Sequence, residues 1–226
     1  MSQQILPFYL LCDESGSMAG GPVDAINESV RQLNLEIGGN PGVAHKARFY
    51  LIGFSNVAEV LLPLSDMSAV GAVPALTACG GTDYEAAFRR LRRSIDDDVE
   101  ALTRQGFEVC RPAVFFLSDG YASGTDWESA YQELTDTNWP PHPDILSFGF
   151  GMADESTIRR IATVRAFMAN GWLGPAEALR EFTQSLIRSI VYSGTQAATD
   201  APRGAALVVP DRVPGFTTIP TDVVSG

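Results

Sequence analysis

Oxygen-bearing side chains occur at alternate positions directly after an apolar run near the start of the chain. In LLCDESGSM the run ends in Asp13, Ser15 and Ser17, and two later motifs, GGTD and SDG, contain Thr82 and Asp119. Carboxylate and hydroxyl oxygens are the ligands that hard cations such as Mg²⁺ prefer. The five residues therefore predict a divalent-metal site, provided that the fold brings the three motifs together.

The elements that must position these motifs alternate between strand-like and helix-like segments, which is typical of a parallel sheet covered on both faces. Residues 5–12, ILPFYLLC, are continuously apolar, as in a strand buried on both sides. The pattern predicts further strands at residues 47–54, 57–64, 113–118, 145–150 and 165–168. It predicts helices at about 20–38, 83–104, 126–137, 155–163 and 175–193. Only Ser55 and Asn56 separate the second and third strands, so these two should form a hairpin.

The three motifs fall at one edge of such a sheet. In an open parallel sheet, ligands collect at the carboxyl ends of the strands, where the following loops converge. DESGS follows the first strand, SDG ends the strand at 113–118, and GGTD opens the long helix that starts near residue 83. The predicted fold therefore brings all five candidate ligands to the same edge.

The charges of these ligands indicate a binding site rather than a catalytic one. Asp13 and Asp119 are the only anions among the five, and at most they balance a divalent ion. If either binds the metal only through water, a coordination position stays open that an outside Asp or Glu can fill. The chain is therefore predicted to bind a partner and not to be an enzyme. The residues beside the ligands form a candidate partner-binding rim, which consists of Glu14, Met18, Gly81, Asp83 and Tyr121.

Together DESGS, GGTD and SDG resemble the metal-ion-dependent adhesion site, or MIDAS, of the von Willebrand factor type A (vWA) family. The resemblance covers roughly residues 5–193 and has all five MIDAS positions in order. It implies a three-layer, Rossmann-like α/β fold with helices on both faces of a mostly parallel six-stranded sheet that has one antiparallel edge strand. It also implies Mg²⁺, with Mn²⁺ or Ca²⁺ as alternatives, held by Ser15, Ser17 and either Thr82 or Asp119, with Asp13 acting through water.

Within this family the chain looks most like bacterial cytoplasmic members related to the tellurium-resistance protein TerY. The likeness lies in the segments LPFYLLCDESGSM and ALTACGGTDYEAAF. TerY-like proteins are associated with a protein kinase and a phosphatase in stress-response systems. The resemblance therefore implies a kinase or phosphatase as the protein partner, bound through an acidic side chain.

Composition narrows the remaining choices. A net charge of -11 argues against a nucleic-acid partner, because phosphate binding needs an excess of Lys and Arg. The sequence shows no basic leader and no run of about 18 apolar residues, so a cytoplasmic location without membrane contact is expected. Residues 1–194 are assigned to one vWA domain and 195–226 to a docked extension with an added strand pair around 205–209. The three cysteines have neither disulfide nor zinc-site spacing; they are Cys12, Cys79 and Cys110.

Two other functions stay open at this point. A metal-dependent hydrolase would need a general base, for which Glu14 and Asp83 border the site, whereas His45 and His142 lie beside no metal motif. A self-occluded module would place an acidic residue of the extension on the metal. The candidates for that internal ligand are Asp200, Asp211 and Asp222. A simpler alternative is that the Asp and Ser residues serve only as turn and helix-cap residues.

Overall fold

The first strand, β1 (Gln4–Asp13), lies at the centre of the sheet and is buried at every residue except Gln4. The structure is a computed structural model that describes residues 3–124, 126–171 and 211–220 and the single residues 177, 180, 181, 184, 187, 188 and 190. Burial along the whole strand agrees with the continuous apolar run, because a strand covered on both faces has no solvent side.

Seven further strands and five α-helices have both ends within the continuously described residues 3–124, 126–171 and 211–220. The strands are β2 (Ala47–Phe54), β3 (Ala58–Ser65), β4 (Glu108–Val109), β5 (Ala113–Ser118), β6 (Asp144–Gly149), β7 (Arg165–Ala169) and β8 (Phe216–Ile219). The helices are α1 (Gly21–Gly38), α2 (Pro41–Ala44), α3 (Tyr84–Arg104), α4 (Trp127–Leu134) and α5 (Glu155–Ile161). Apart from the helix predicted at 175–193, the predicted segments therefore exist, with ends that differ by up to three residues.

The eight strands form one sheet in the order β3-β2-β1-β5-β6-β7-β8, and β4 pairs with the start of β1. Pairs from β2 through β7 are parallel, whereas the edge strands β3 and β8 are antiparallel. The mostly parallel, Rossmann-like α/β class and the β2–β3 hairpin are confirmed. The prediction of six strands with one antiparallel edge is wrong in number, because the two-residue β4 and the four-residue β8 are too short to show a pattern in the sequence.

Helices cover both faces of the sheet. Alternate residues of β1 point to opposite sides, as the strand period of two requires. Phe8, Leu10 and Cys12 join a buried cluster with α1, while Tyr9 and Leu11 join a second cluster with α3, α4 and α5. Since each parallel crossover carries a helix, the loops that follow β1, β5 and β6 emerge at the same edge of the sheet.

The chain after β7 is described only in part. The predicted helix at 175–193 falls mostly on residues outside the described set, although Ile187 and Ile190 are helical and buried. Within the extension, β8 pairs with β7, and Ala169 lies opposite Phe216. The predicted strand pair around 205–209 lies outside the described residues.

Two smaller features bear on the earlier predictions. Cys12 and Cys110 are buried and Cys79 is exposed, and all three thiols are free. None of the helices in the described part of the chain is long and apolar enough to cross a membrane.

Candidate metal centre

The pairing of β1 with β5 places the first and third motifs side by side. Cys12 lies opposite Leu117 in the parallel register, so the residues that follow each strand emerge together. The loop after β1 forms a short 3-10 turn over Gly16–Met18, and the chain turns sharply after Ser118. Both loops therefore present their polar side chains at the carboxyl edge of the sheet.

Asp13 is buried completely, and its side chain accepts two hydrogen bonds, one from its own loop and one from β5. Its Oδ1 accepts from the backbone N–H of Ser15 at 2.8 Å. Its Oδ2 accepts from the Ser118 hydroxyl at 2.6 Å. That hydroxyl in turn accepts from the Tyr84 hydroxyl at 2.8 Å, and both groups are buried. The carboxylate thus has a fixed orientation that does not depend on solvent.

Ser17 connects the first motif to the third. Its hydroxyl donates to Oδ1 of Asp119 at 2.7 Å, across 102 positions of sequence. The hydroxyl oxygens of Ser15 and Ser17 are 3.0 Å apart. Ser15 and Asp119 are buried, whereas Ser17 is exposed. The structure therefore gathers hydroxyl and carboxylate oxygens into one group that opens to solvent at Ser17.

The loop before α3 brings Thr82 to the same group of oxygens. A Cβ built on Gly120 would lie 3.4 Å from the Thr82 hydroxyl oxygen and 3.9 Å from that of Ser17, so both hydroxyls face the turn after β5. The backbone of Thr82 is held by Ser123, whose hydroxyl accepts from its N–H at 2.8 Å and whose N–H donates to its carbonyl at 2.7 Å. In the part of the chain that the structure describes, no group hydrogen-bonds to the Thr82 hydroxyl, which leaves this oxygen available to a ligand.

Helix α3 begins at Tyr84, and its N-cap, Asp83, directly follows Thr82. The carboxylate of Asp83 accepts a hydrogen bond from the backbone N–H of Ala86 at 2.9 Å. The N–H of Asp83 also donates to the carbonyl of Ser55 at 2.7 Å. An N-cap of this kind is worth about 1 kcal/mol of helix stability. Asp83 therefore positions Thr82 through the start of the helix.

Burial raises the pKa of the Asp13 and Asp119 carboxyls. The hydrogen bonds from Ser118 and Ser15 act in the opposite direction on Asp13, and the bond from Ser17 does so on Asp119. The charge of Asp119 also raises the pKa of Asp13. Two carboxylates close together in a site of low polarity are costly when ionised, and a bound cation would remove that cost.

The donor set fits a divalent cation that prefers oxygen. Two carboxylates and three hydroxyls converge, and nitrogen or sulfur ligands are not among them. Among the residues that the structure describes, no group of three or more His, Cys, Asp or Glu could hold a metal ion. Any metal at this edge therefore depends on the hydroxyl groups of Ser15, Ser17 and Thr82.

The predicted rim divides into residues that can meet a partner and residues that cannot. Tyr121 is 62% exposed and stands two positions after Asp119, and Gly81 is partly exposed. Met18 does not belong to the rim, because its side chain is fully buried in the cluster under α1. Its position at the end of the 3-10 turn directs it inward.

Two other rim residues have structural partners. The carboxylate of Glu14 accepts a hydrogen bond from the backbone N–H of Thr77 at 2.6 Å. That of Asp83 caps α3. An exposed side chain that the rim prediction omitted is Met152, whose N–H donates to the carbonyl of Asp119 at 2.9 Å.

The hydrolase and the self-occluded module each require a particular residue close to the candidate site. His45 ends the short helix before β2 and His142 precedes β6, so both lie at the amino ends of parallel strands, opposite the candidate site. Asp211 of the extension is bound to Arg165, at 2.9 Å, at the start of β7. It therefore does not occupy the candidate site, and Asp200 and Asp222 lie outside the described residues.

Sequence reasoning missed the residues that support the ligands. Ser118 and Tyr84 orient Asp13, while Asn56 and Ser123 hold the backbone of Gly81 and Thr82. Ser118 precedes Asp119 in the SDG motif, which is a signal that could have identified it. Asn56 and Ser123 act from loops of irregular backbone, and nothing in their local sequence marks them.

The fold and the site together define a class of protein. It is a doubly wound α/β domain with a site of oxygen ligands at the carboxyl edge of its sheet. A family model described as von Willebrand factor type A domain matches residues 8–122, which is just over half of the chain and contains all five candidate ligands. The chain therefore belongs to the vWA domain family. A sequence comparison with curated proteins gives no match.

Solved structures show the same fold at low sequence identity. A von Willebrand factor type A protein from Catenulispora acidiphila aligns with a TM-score of 0.60 at 18% identity, over 83% of this chain and 43% of that one. The pilus adhesin SpaC from Lactobacillus rhamnosus GG, in its open conformation, gives 0.61 at 15% identity, over 84% of this chain and 30% of that one.

A third similar structure has a metal in its own MIDAS motif. Proximal thread matrix protein 1 of the mussel byssus, with a zinc-occupied MIDAS motif, gives a TM-score of 0.57 at 15% identity over 84% of this chain and 48% of that one. The chain thus spans less than half the length of these three structures. At such identities the likeness concerns the fold alone.

Proposed function

We propose that the chain is a metal-dependent protein-binding module. Asp13, Ser15, Ser17, Thr82 and Asp119 would hold Mg²⁺, and an acidic side chain of a partner protein would complete its coordination. The observation that carries this proposal is the convergence of oxygens from three loops, among which the Thr82 hydroxyl has no partner in the described part of the chain. Family membership supports it, since vWA domains often mediate metal-dependent protein interaction.

Binding is favoured over hydrolysis by the positions of the possible bases. Catalysis of hydrolysis at a metal needs a base within hydrogen-bond reach of the reacting water. The carboxylates of Glu14 and Asp83 are each engaged by a backbone N–H, at 2.6 and 2.9 Å, and both histidines lie at the opposite edge of the sheet. We therefore propose that the metal recognises a carboxylate and does not activate water.

The proposed type of module and its partner rest on sequence resemblance. The segments LPFYLLCDESGSM and ALTACGGTDYEAAF support a TerY-like module in the bacterial cytoplasm. On this proposal, the partner is a kinase or phosphatase of a stress-response system, and it contributes an Asp or Glu to the metal.

The first test measures metal binding by calorimetry with Mg²⁺, Mn²⁺, Ca²⁺ and Zn²⁺ in turn. Asp119→Ala should abolish binding of the preferred ion. Asp97→Ala is the matched control, because it removes an exposed carboxylate on α3, 13 positions beyond the helix start at Tyr84. Wild-type protein that binds none of the four ions would sink the proposal.

The second test measures partner capture with and without chelator. The wild-type chain and the Asp97→Ala variant should retain a lysate protein only when Mg²⁺ is present, and Thr82→Ala should retain none. A partner held equally in chelator, or held equally by Thr82→Ala, would exclude the metal as the bridge.

A further inference from the structure

Glu14 stands between two candidate ligands, Asp13 and Ser15, and contacts the segment that leads to Thr82. Its side chain reaches residue 77, where Oε1 accepts from the backbone N–H of Thr77 at 2.6 Å across 63 positions of sequence. Its main-chain carbonyl accepts from the N–H of Cys79 at 2.6 Å. One residue of the first metal loop therefore binds two residues of the second.

The same two loops are joined again one step further along. The N–H of Gly16 donates to the carbonyl of Gly80 at 3.0 Å. The N–H of Glu14 itself donates to the carbonyl of Phe54 at 2.7 Å, which anchors the contact to the end of β2. The segment from Thr77 to Gly80 thus depends on the loop after β1 for the positions of its backbone.

This dependence matters because the segment has little structure of its own. Residues 71–83 contain neither helix nor strand. Fixing each residue of such a segment costs about 1–2 kcal/mol of conformational entropy, which long-range contacts must offset. Asn27 of α1 binds the N–H and the carbonyl of Leu76, at 2.7 and 3.0 Å. Without the Glu14 carboxylate, the segment would still be held at Leu76 and at Asp83, but Thr77 would lose the contact that directs the chain from Leu76 toward Thr82.

Gly53 provides the space that the Glu14 carboxylate occupies. A Cβ at residue 53 would lie 1.9 Å from Oε2 of Glu14, 2.4 Å from its Cδ and 3.2 Å from its Cγ. No atom of another residue is among these nearest neighbours. The carboxylate of Glu14 therefore occupies the space that a side chain at residue 53, near the end of β2, would take.

We infer that Glu14 is a positioning residue, which holds residues 77–80 against the first metal loop so that Thr82 meets the other ligands, and that Gly53 is required to admit its carboxylate. The part of this inference that concerns the metal rests on the proposed function. The part that concerns the two loops does not, because these contacts join groups of the protein alone.

The test uses four variants of the full chain. Glu14→Ala removes the acceptor, Glu14→Gln keeps an oxygen that can accept from Thr77, and Gly53→Ala displaces the carboxylate while leaving Glu14 in place. Glu14→Ala combined with Gly53→Ala closes a double-mutant cycle. Gly71→Ala is the matched control, since nothing lies within 4 Å of a Cβ at that position.

The first readout is amide hydrogen exchange of residues 77–82 in metal-free protein. Exchange should be faster in Glu14→Ala and in Gly53→Ala, and close to wild type in Glu14→Gln and Gly71→Ala. In the double variant, Gly53→Ala should add nothing to Glu14→Ala, because the atoms with which its Cβ would collide are gone. Additive effects, or unchanged exchange in Glu14→Ala, would overturn the inference about the loops.

The second readout is Mg²⁺ affinity by calorimetry. Residues that orient ligands typically change metal affinity by about 10–100-fold, so a loss of this size is expected for Glu14→Ala and Gly53→Ala, with rescue in Glu14→Gln. Unchanged affinity in a variant whose exchange is fast would show that the loop contact does not serve the metal. If the wild-type chain binds none of Mg²⁺, Mn²⁺, Ca²⁺ and Zn²⁺, the proposed function fails and the metal part with it, while hydrogen exchange still decides the loop contact. If Glu14→Ala does not fold, Gly53→Ala and Glu14→Gln supply the same comparison.

Discussion

The hydroxyl of Ser118 donates a 2.6 Å hydrogen bond to Oδ2 of Asp13, a residue 105 positions earlier in the chain. Tyr84, in the first turn of α3, donates to the same hydroxyl at 2.8 Å and lies 3.0 Å from the carbonyl oxygen of Gly120. The ends of β1 and β5 and the start of α3 are thus joined by one buried set of hydrogen bonds. This set orients a candidate metal ligand without contributing one itself.

Ser118→Ala should weaken both the fold and the metal site. The substitution leaves one oxygen of Asp13 without a partner in the interior, whereas the Tyr84 hydroxyl keeps the carbonyl of Gly120 at 3.0 Å as an acceptor. An unpaired buried group of this kind costs about 1–3 kcal/mol of unfolding free energy. Mg²⁺ affinity should fall by about 10-fold or more, because Asp13 loses its orientation. Urea denaturation and calorimetry measure the two effects.

Tyr84→Phe is the control for this prediction. It removes the outer hydrogen bond and leaves the bond from Ser118 to Asp13 in place, so it should reduce stability more than metal affinity. Equal loss of metal affinity in the two variants would show that the orientation of Asp13 does not depend on Ser118 alone.

Addition of Mg²⁺ should raise the melting temperature of the wild-type chain. A ligand at about 100 times its dissociation constant stabilises the folded state by about 2.7 kcal/mol. For a domain of this size that corresponds to roughly 5–10 °C. Chelator should reverse the shift, and Asp119→Ala should show none. A shift of equal size in Asp119→Ala, measured by scanning calorimetry, would place the stabilising ion elsewhere.

The sequence predicted the parts of the fold that depend on local pattern. The continuous apolar run of β1 and the Gly-Pro start of α1 are local signals, and the structure confirms both elements. β8 has no such signal, since FTTI is a four-residue strand whose partner β7 lies about 50 positions earlier in the chain. Pairing of that kind is decided by tertiary contacts and not by propensity.

The sequence predicted which side chains come together at the candidate site, and not what surrounds them. Asp13, Ser15, Ser17, Thr82 and Asp119 stand at fixed spacings in motifs, so their residue types identify them. Glu14 and Met18 occupy the same loop, yet one binds the backbone of Thr77 and the other is buried. The direction of a side chain in an irregular turn depends on what packs around the turn, and the sequence does not state it.

Asp98→Asn should change how stability depends on pH. Burial raises the pKa of Asp98 to about 6, the charge of Asp97 adds to this effect, and the hydrogen bond from Tyr9 acts against it. The folded protein therefore keeps this proton to a higher pH than the unfolded chain. The stability that comes from binding the proton is complete below about pH 4 and is lost as the pH rises through about 6. The amide variant does not ionise, and its oxygen can still accept from Tyr9.

The expected result is a pH-dependent difference in unfolding free energy. The variant and the wild type should differ little near pH 4, and the variant should be more stable by about 1 kcal/mol near pH 7.5, because solvent reaches part of this carboxylate and screens its charge. Urea denaturation at several pH values measures this difference. Asp97→Asn is the control, because Asp97 is exposed and should give a smaller change. A difference that does not vary with pH would contradict the assignment to Asp98.

Phe216→Ala should lower the stability of the fold without changing metal affinity, which would show that the extension has a structural role and no role at the metal. Phe216 is buried and meets the ring of Phe148 edge to face, with ring centres 5.7 Å apart. Removing a buried aromatic ring costs about 3 kcal/mol of unfolding free energy or more. β8 is four places from β1 in the sheet, so Mg²⁺ affinity should stay within about twofold of wild type, as expected for distant, independent sites.

The same variant tests self-occlusion by the extension. Asp211 is bound to Arg165 at 2.9 Å, so loosening β8 frees no carboxylate from the metal centre among the described residues. Capture of a partner in Mg²⁺ should therefore be unchanged once the protein is kept below its melting temperature. Tighter capture by Phe216→Ala than by wild type would show that another part of the extension occupies the metal, and the module would then be closed by its own chain.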